Sequence, residues 1–284
     1  MKMTHQTITI KGMDLFYREA GNTNKDTILC LHGFPSSSHM YRDIIELLSN
    51  DFHLVAPDYP GFGLSDAPSL GSFDYTFDNI AQIIEDFSEA LNLSSFYLLM
   101  QDYGGPIGFR IATMYPNRIK GLIIQNANAY MEGLGEWAIK IGDYQKANDM
   151  EGLTNFKNFL MSPEGIKEQY FPENGETNKV SAISYLTDIA FINREGINKK
   201  QTALFTNYGT NFAKYPEWQT YFKTHQPPTL IVWGIHDKFF SKNGADAYKQ
   251  HLTNATIQYY DGGHFMIEQY AQEVAIAITD FIKQ

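Results

Sequence analysis

Short runs of consecutive apolar residues alternate along this chain with longer stretches in which apolar positions recur every three or four residues. The short runs predict buried strands at Thr27–Leu31, His53–Ala56, Phe96–Met100, Gly121–Gln125, Thr229–Trp233 and Thr256–Tyr260, because a strand covered on both faces shows no polar alternation. The longer stretches predict helices near Met40–Leu48, Phe77–Leu91, Gly105–Tyr115, Gly244–His251 and Gln269–Ile282. Strand and helix in regular succession imply an α/β fold, a mostly parallel sheet with helices on both faces. The residues after Met-Lys-Met-Thr-His-Gln at the N-terminus add a strand-like alternation.

Between about Asn128 and Pro216 the pattern changes. Apolar residues keep helical spacing, Gly and Asn break the runs, and no strand signal is present. This predicts a helical insertion, residues 129–216, on a core formed by residues 1–128 and 217–284. Such an insertion rests on the carboxyl edge of the sheet, where ligands bind in open α/β folds.

With 284 residues, the chain is long enough for a sizeable core in one domain with an insertion. A net charge of −10 excludes a basic surface able to neutralise phosphates, so no nucleic-acid partner is expected. One cysteine, Cys30, rules out an internal disulfide framework and lies in an apolar run that suggests packing. No apolar stretch approaches the roughly 20 residues of a membrane span, and the N-terminus has no apolar signal core. The expectation is a cytoplasmic protein with no membrane partner.

The segment 96–110 carries the most specific chemistry. An apolar run ends at Asp102, glycines follow, and a helix-like stretch begins, which is the layout of a nucleophile elbow. A serine there predicts acyl transfer. A carboxylate is already ionised at neutral pH and attacks carbon without an activating base. An aspartate at a turn also serves as a plain turn or cap residue, so its partners decide between the readings. His264 lies in Asp261-Gly-Gly-His-Phe, and Asp237 follows an apolar run in Gly234-Ile-His-Asp. The order nucleophile, acid, histidine is that of α/β-hydrolases. His236 is read as a neighbour of the acid, and His32 as a support for its own loop. No His/Asp/Glu cluster has metal-ligand spacing, and no phosphate-binding loop is present.

His32-Gly-Phe-Pro, Asp58-Tyr-Pro-Gly-Phe-Gly-Leu-Ser-Asp66, Gln101-Asp-Tyr-Gly-Gly, Trp233-Gly-Ile-His-Asp and Gly262-Gly-His-Phe together resemble the α/β-hydrolase fold superfamily over nearly the whole length. More narrowly, the chain is similar to the epoxide hydrolase and haloalkane dehalogenase branch, whose nucleophile is Asp. Met100 departs from the first elbow glycine of serine hydrolases. The resemblance implies a helical cap inserted after the sixth strand, no cofactor, and a small apolar or moderately polar molecule as substrate. It assigns Asp102 as nucleophile, His264 as the base that activates water, and Asp237 as its orienting acid. It also implies that the main-chain N–H groups of Phe34 and Tyr103 would form the oxyanion hole.

Two departures bear on the reaction. Dehalogenases of this branch place a Trp directly after the nucleophile and often an Asn after His-Gly, as halide donors. Here those positions hold Tyr103 and Phe34. Epoxide hydrolases protonate the leaving oxygen with cap tyrosines, and this cap region offers Tyr130, Tyr144, Tyr170, Tyr185, Tyr208 and Tyr215. Tyr208 sits in a segment similar to the family's Asn-Tyr/Trp-Tyr-Arg, with Gly209 in place of the Arg, and is the expected donor. Tyr144 is the expected companion by location. The reading is an epoxide hydrolase-like enzyme making a diol through an alkyl-enzyme ester. A haloalkane dehalogenase and a catalytically silent ligand-binding protein are the alternatives.

Overall fold

The computed structural model describes residues 2–171 and 178–284. Its sheet has eight strands in the order β1-β2-β4-β3-β5-β6-β7-β8, with β1 and β2 antiparallel to their neighbours and the rest parallel. The strands are β1 Thr4–Ile10, β2 Met13–Ala20, β3 Thr27–Leu31, β4 His53–Pro57, β5 Phe96–Gln101, β6 Ile119–Gln125, β7 Thr229–Gly234 and β8 Thr256–Tyr260. Every residue of β3, β4 and β7 is buried, as expected of central strands covered on both faces. The N-terminal alternation resolves into a hairpin, and β1, mostly exposed, forms one edge of the sheet. At the other edge β8 is half open to solvent.

Three helices precede the insertion: α1 Arg42–Leu48, α2 Phe77–Ala90 and α3 Gly104–Met114. The helix expected from Met40 starts as a 3-10 turn over Ser38–Tyr41. The Thr76 hydroxyl caps α2 by accepting from Asn79 N–H at 3.2 Å. The α2 helix buries Ile80, Ile83, Ile84 and Phe87 on one stripe. At the start of α3, a Cβ on Gly104 would sit 2.0 Å from the Leu31 carbonyl oxygen, so only glycine lets the helix lie this close to β3.

From β6 the chain passes into α4 Glu136–Lys146, α5 Met150–Leu160, α6 Pro163–Tyr170, α7 Ala182–Ile192, α8 Ile197–Asn207, a 3-10 turn over Tyr208–Lys214, and α9 Tyr215–His225. No strand lies among the described residues between β6 and β7. Trp218 and Phe222 of α9 pack on Phe109 of α3, with ring centroids 5.3 Å apart in both pairs. The boundary read at residue 216 thus falls in the first turn of a helix that belongs to the core layer. After β7 come α10 Lys242–Ala247, the short α11 Met266–Gln269 and α12 Ala271–Lys283.

Buried polar side chains key the helical insertion to the core. Arg42 of α1 pairs with Glu268 of α11 at 2.7 Å, and Ser184 of α7 hydrogen-bonds to both. Near the other end, the Asn207 side chain accepts from the first N–H of α2 at 3.0 Å, and Asn211 accepts from Arg110 of α3 at 2.8 Å. These contacts fix the Tyr208 segment, which lies between them, against the core.

Candidate active site

Four consecutive buried residues, Leu98 to Gln101, end β5, and the chain then turns sharply into α3 with Asp102 at φ 48°. Aspartate is among the few residues other than glycine that tolerate this left-handed conformation. The turn is held by Gly105 N–H on the Asp102 carbonyl at 3.0 Å and by Asp102 N–H on the Asn126 carbonyl at 3.3 Å. It lifts the carboxylate above the end of the sheet.

There Asp102 Oδ1 accepts from Phe34 N–H at 2.8 Å, and Tyr103 N–H donates to the same carboxylate. Both expected oxyanion donors therefore already point at the group whose carbonyl oxygen would become negative. A Cβ on Gly33 would come within 1.9 Å of Gln101 Oε1 and 2.5 Å of Asp102 Cβ, which explains why glycine brings Phe34 to this position.

His264 Nε2 faces Asp102 Oδ2 across 3.7 Å, and its Nδ1 is 2.8 Å from Asp237 Oδ2. With Asp237 accepting at Nδ1, the neutral ring presents the lone pair of Nε2 toward Asp102. Nε2 has no hydrogen-bond partner among the described residues. Asp237 is saturated: Asn126 Nδ2 donates to Oδ2 at 2.8 Å and Phe239 N–H to Oδ1 at 2.7 Å. The three expected triad residues thus come together from three loops, with Asp102 5 % and His264 2 % exposed.

Burial pushes the Asp102 carboxyl up to about 6, against the opposing pull of His264 and of the Phe34 and Tyr103 N–H groups. For His264, burial alone would lower the pKa. The charge and hydrogen bond of Asp237, with the charge of Asp102, override it and leave the imidazole above its ordinary value. Shifts of this kind, set by burial and named partners in a recess, mark functional sites.

Three amides that the sequence reading passed over complete the site. Gln101 and Gln125, the last residues of β5 and β6, both donate to the His264 carbonyl, at 3.2 and 3.0 Å. Asn126 grips both faces of the Gly234 peptide, accepting from its N–H at 2.8 Å and donating to its carbonyl at 3.1 Å. The available signal was a buried amide ending an otherwise apolar strand. Such a group needs partners, and the partners here are the loops carrying Asp237 and His264.

The cap tyrosines separate cleanly. The Tyr208 hydroxyl is buried without a hydrogen-bond partner, and its ring lies 5.8 Å from that of Tyr103 and 5.7 Å from Phe77. Tyr144 does not join it. Its half-buried ring rests 6.3 Å from Phe156 and borders a surface hollow with Ile139, Lys140 and Asp149. The expectation for Tyr144 is therefore corrected: on α4 it turns to the outside of the cap. Tyr170 stacks on Phe265 at 4.2 Å with its hydroxyl engaged by Asp188, Tyr130 meets His251, and Tyr215 accepts from Asn128.

The other histidines near the site have structural duties. His32 stacks on Tyr59 at 3.9 Å and accepts from Tyr59 N–H at 3.3 Å; burial depresses its pKa to about 3, so it stays neutral. His236 pairs with Asp261 at 2.6 Å toward the surface. Cys30 is buried, and burial raises its thiol well above the usual range. Among the described residues no group of His, Cys, Asp or Glu is placed to hold a metal ion. No helix among them is long and apolar enough to cross a membrane.

A family model described as the alpha/beta hydrolase fold matches residues 26–270. An uncharacterized hydrolase of Saccharomyces cerevisiae is 37% identical over 99% of this chain and 97% of its own length. A cis-3-alkyl-4-alkyloxetan-2-one decarboxylase of Shewanella oneidensis is 28% identical over 96% of this chain and 86% of its own. Among solved structures, a haloalkane dehalogenase from Bradyrhizobium elkani superposes with a TM-score of 0.80 at 19% identity, covering 99% of this chain and 98% of the other.

Proposed function

Because this chain belongs to the α/β-hydrolase fold family and has a hydrolase relative along its whole length, we propose that it is a hydrolase that opens epoxides through an ester on Asp102. The observation that carries the reading is the presence of a buried carboxylate at the elbow and the buried phenol of Tyr208 in one aromatic cluster around Tyr103. Asp102 attacks a ring carbon, and the carbon–oxygen bond breaks toward oxygen. Tyr208 supplies the proton that makes the leaving oxygen a hydroxyl. Water, deprotonated by His264, then adds to the ester carbonyl, whose oxygen is held by the N–H groups of Phe34 and Tyr103. Asp237 stabilises the imidazolium formed in that step.

Two observations weigh against the alternatives. Dehalogenation needs donors for a halide, and neither Phe34 nor Tyr103 offers an indole or amide side chain. A silent binding protein has no use for an acid held by three hydrogen bonds behind an imidazole aimed at a carboxylate. The Shewanella relative is by its name a decarboxylase of oxetan-2-ones, strained oxygen rings like epoxides, which fits a substrate class of strained cyclic oxygen compounds.

Assays of diol formation from styrene oxide and of bromide release from 1-bromobutane test the reading. Diol forms, and Tyr208→Phe slows it by roughly 10²-fold, the usual worth of a positioned acid. Bromide release without diol formation would transfer the assignment to a dehalogenase.

The acid limb of the pH profile follows from Asp102. Its carboxyl must be ionised to attack, and it protonates as the pH falls through about 6. We expect kcat/KM to fall about tenfold per unit below that point, by simple titration of one group. A profile flat to pH 5 would mean that no group titrating near 6 has to be ionised for the attack.

A further inference from the structure

We propose that the Tyr103 phenol is the second hydroxyl on the leaving oxygen, so that the core supplies one proton-bearing donor and the cap, through Tyr208, the other. The proposal rests on the epoxide reading and deepens it.

Tyr103 directly follows Asp102 and sits at the start of α3 with its ring against Phe34, Phe77 and Tyr208, at 5.5, 5.0 and 5.8 Å between centroids. Its hydroxyl, like that of Tyr208, is buried and has no hydrogen-bond partner. They are the only two tyrosines whose hydroxyls stand so among the described residues. Leaving a buried hydroxyl unpaired is costly, and packing alone does not demand one. The same cluster uses Phe34, Phe77, Phe205 and Phe212 wherever a plain ring suffices. The two buried phenols stand side by side, both within reach of the Asp102 charge and Tyr208 also of the Tyr215 hydroxyl, and they match one ligand atom that accepts two hydrogen bonds. An epoxide oxygen is such an atom.

The proton count closes. On ring opening the carbon–oxygen electron pair moves to oxygen, which takes a proton from one phenol, while the other phenol donates a hydrogen bond to the resulting phenolate or hydroxyl. In the second step His264 takes one proton from water and the hydroxide adds to the ester carbonyl. One water proton ends on the departing alcohol and the other restores the phenolate, so the sum is epoxide plus water giving diol. Core and cap phenols are 105 positions apart in the chain, and their adjacency depends on the Asn207 and Asn211 contacts that seat the Tyr208 segment.

Ester formation with styrene oxide, followed by rapid quench in a His264→Gln background, isolates the ring-opening step. Tyr103→Phe is expected to slow it at least tenfold, with a thermal midpoint unchanged or raised because an unpaired buried hydroxyl is gone. Tyr208→Phe slows it likewise, and the double variant more than either. Undiminished ester formation in Tyr103→Phe, with a loss in Tyr208→Phe, overturns the proposal and leaves the epoxide reading intact. A loss accompanied by a lowered midpoint also overturns it, since that marks a packing role. No ester in the His264→Gln parent refutes the epoxide reading and this proposal together.

Discussion

Asp102→Asn is expected to abolish turnover, by on the order of 10⁴-fold or more for loss of a covalent nucleophile, and at the same time to make the protein more stable at alkaline pH. The second half follows from burial. Asp102 titrates near 6 in the folded chain, against about 3.9 in an unfolded one. A raised carboxyl pKa means that folding is penalised for holding the charged form. The penalty is fully present above about 6, shrinks as the pH falls between the two values, and is gone below about 4. Asparagine removes the charge, still accepts from Phe34 N–H, and tolerates φ 48°. We therefore expect a midpoint roughly 4 °C above wild type at pH 8, with the difference fading toward pH 4. A variant that loses stability at pH 8 would show that Asp102 is a structural turn residue.

His264→Gln separates the two halves of the reaction. Attack by Asp102 does not need the imidazole, whereas hydrolysis of the ester does, so turnover should fall by roughly 10²–10⁴-fold while the ester accumulates. Mass spectrometry should then find one substrate mass on the peptide containing Asp102. In wild type, a single turnover in water enriched in heavy oxygen should leave the label in the Asp102 carboxylate, because water adds to its carbonyl carbon. Label only in the product, with no adduct in the variant, would mean that water attacks the substrate directly. The electrostatics also time the steps: esterification removes the Asp102 charge, one of the influences that raise His264. The imidazole becomes easier to deprotonate at the moment it must act as a base.

The central strands were legible because five or six consecutive apolar residues have few other uses, and the elbow because an acid between an apolar run and glycines is rare. The β1–β2 hairpin was half legible: its alternation was visible, but its bounds depend on Lys11 and Gly12, both at positive φ, turning the chain. Tyr144 was misplaced because helical periodicity says that a face is buried, not which way the helix is rotated over the core. Tyr208 was singled out by its segment, which resembles a known donor, rather than by its position alone. Gln101, Gln125 and Asn126 carried only the local signal of an amide at the end of an apolar strand, which does not reveal partners 163, 139 and 111 positions away.

Those long separations have a consequence for how the chain comes to be folded. β6 and β7 are hydrogen-bonded neighbours, Leu122 opposite Thr229, although the whole helical insertion lies between them in sequence. During synthesis the nucleophile turn emerges first, and the acid and base only after every cap helix has left the ribosome. Asp102 is therefore made well before Asp237 and His264, and the three cannot come together until the chain has been synthesised past residue 264. The closure that joins β6 to β7 depends only weakly on the length of the segment bridged, about 0.6 kcal/mol for each doubling. Added length within the insertion thus costs little in closure entropy, provided that the contacts of Ser184, Asn207 and Asn211 with the core are kept.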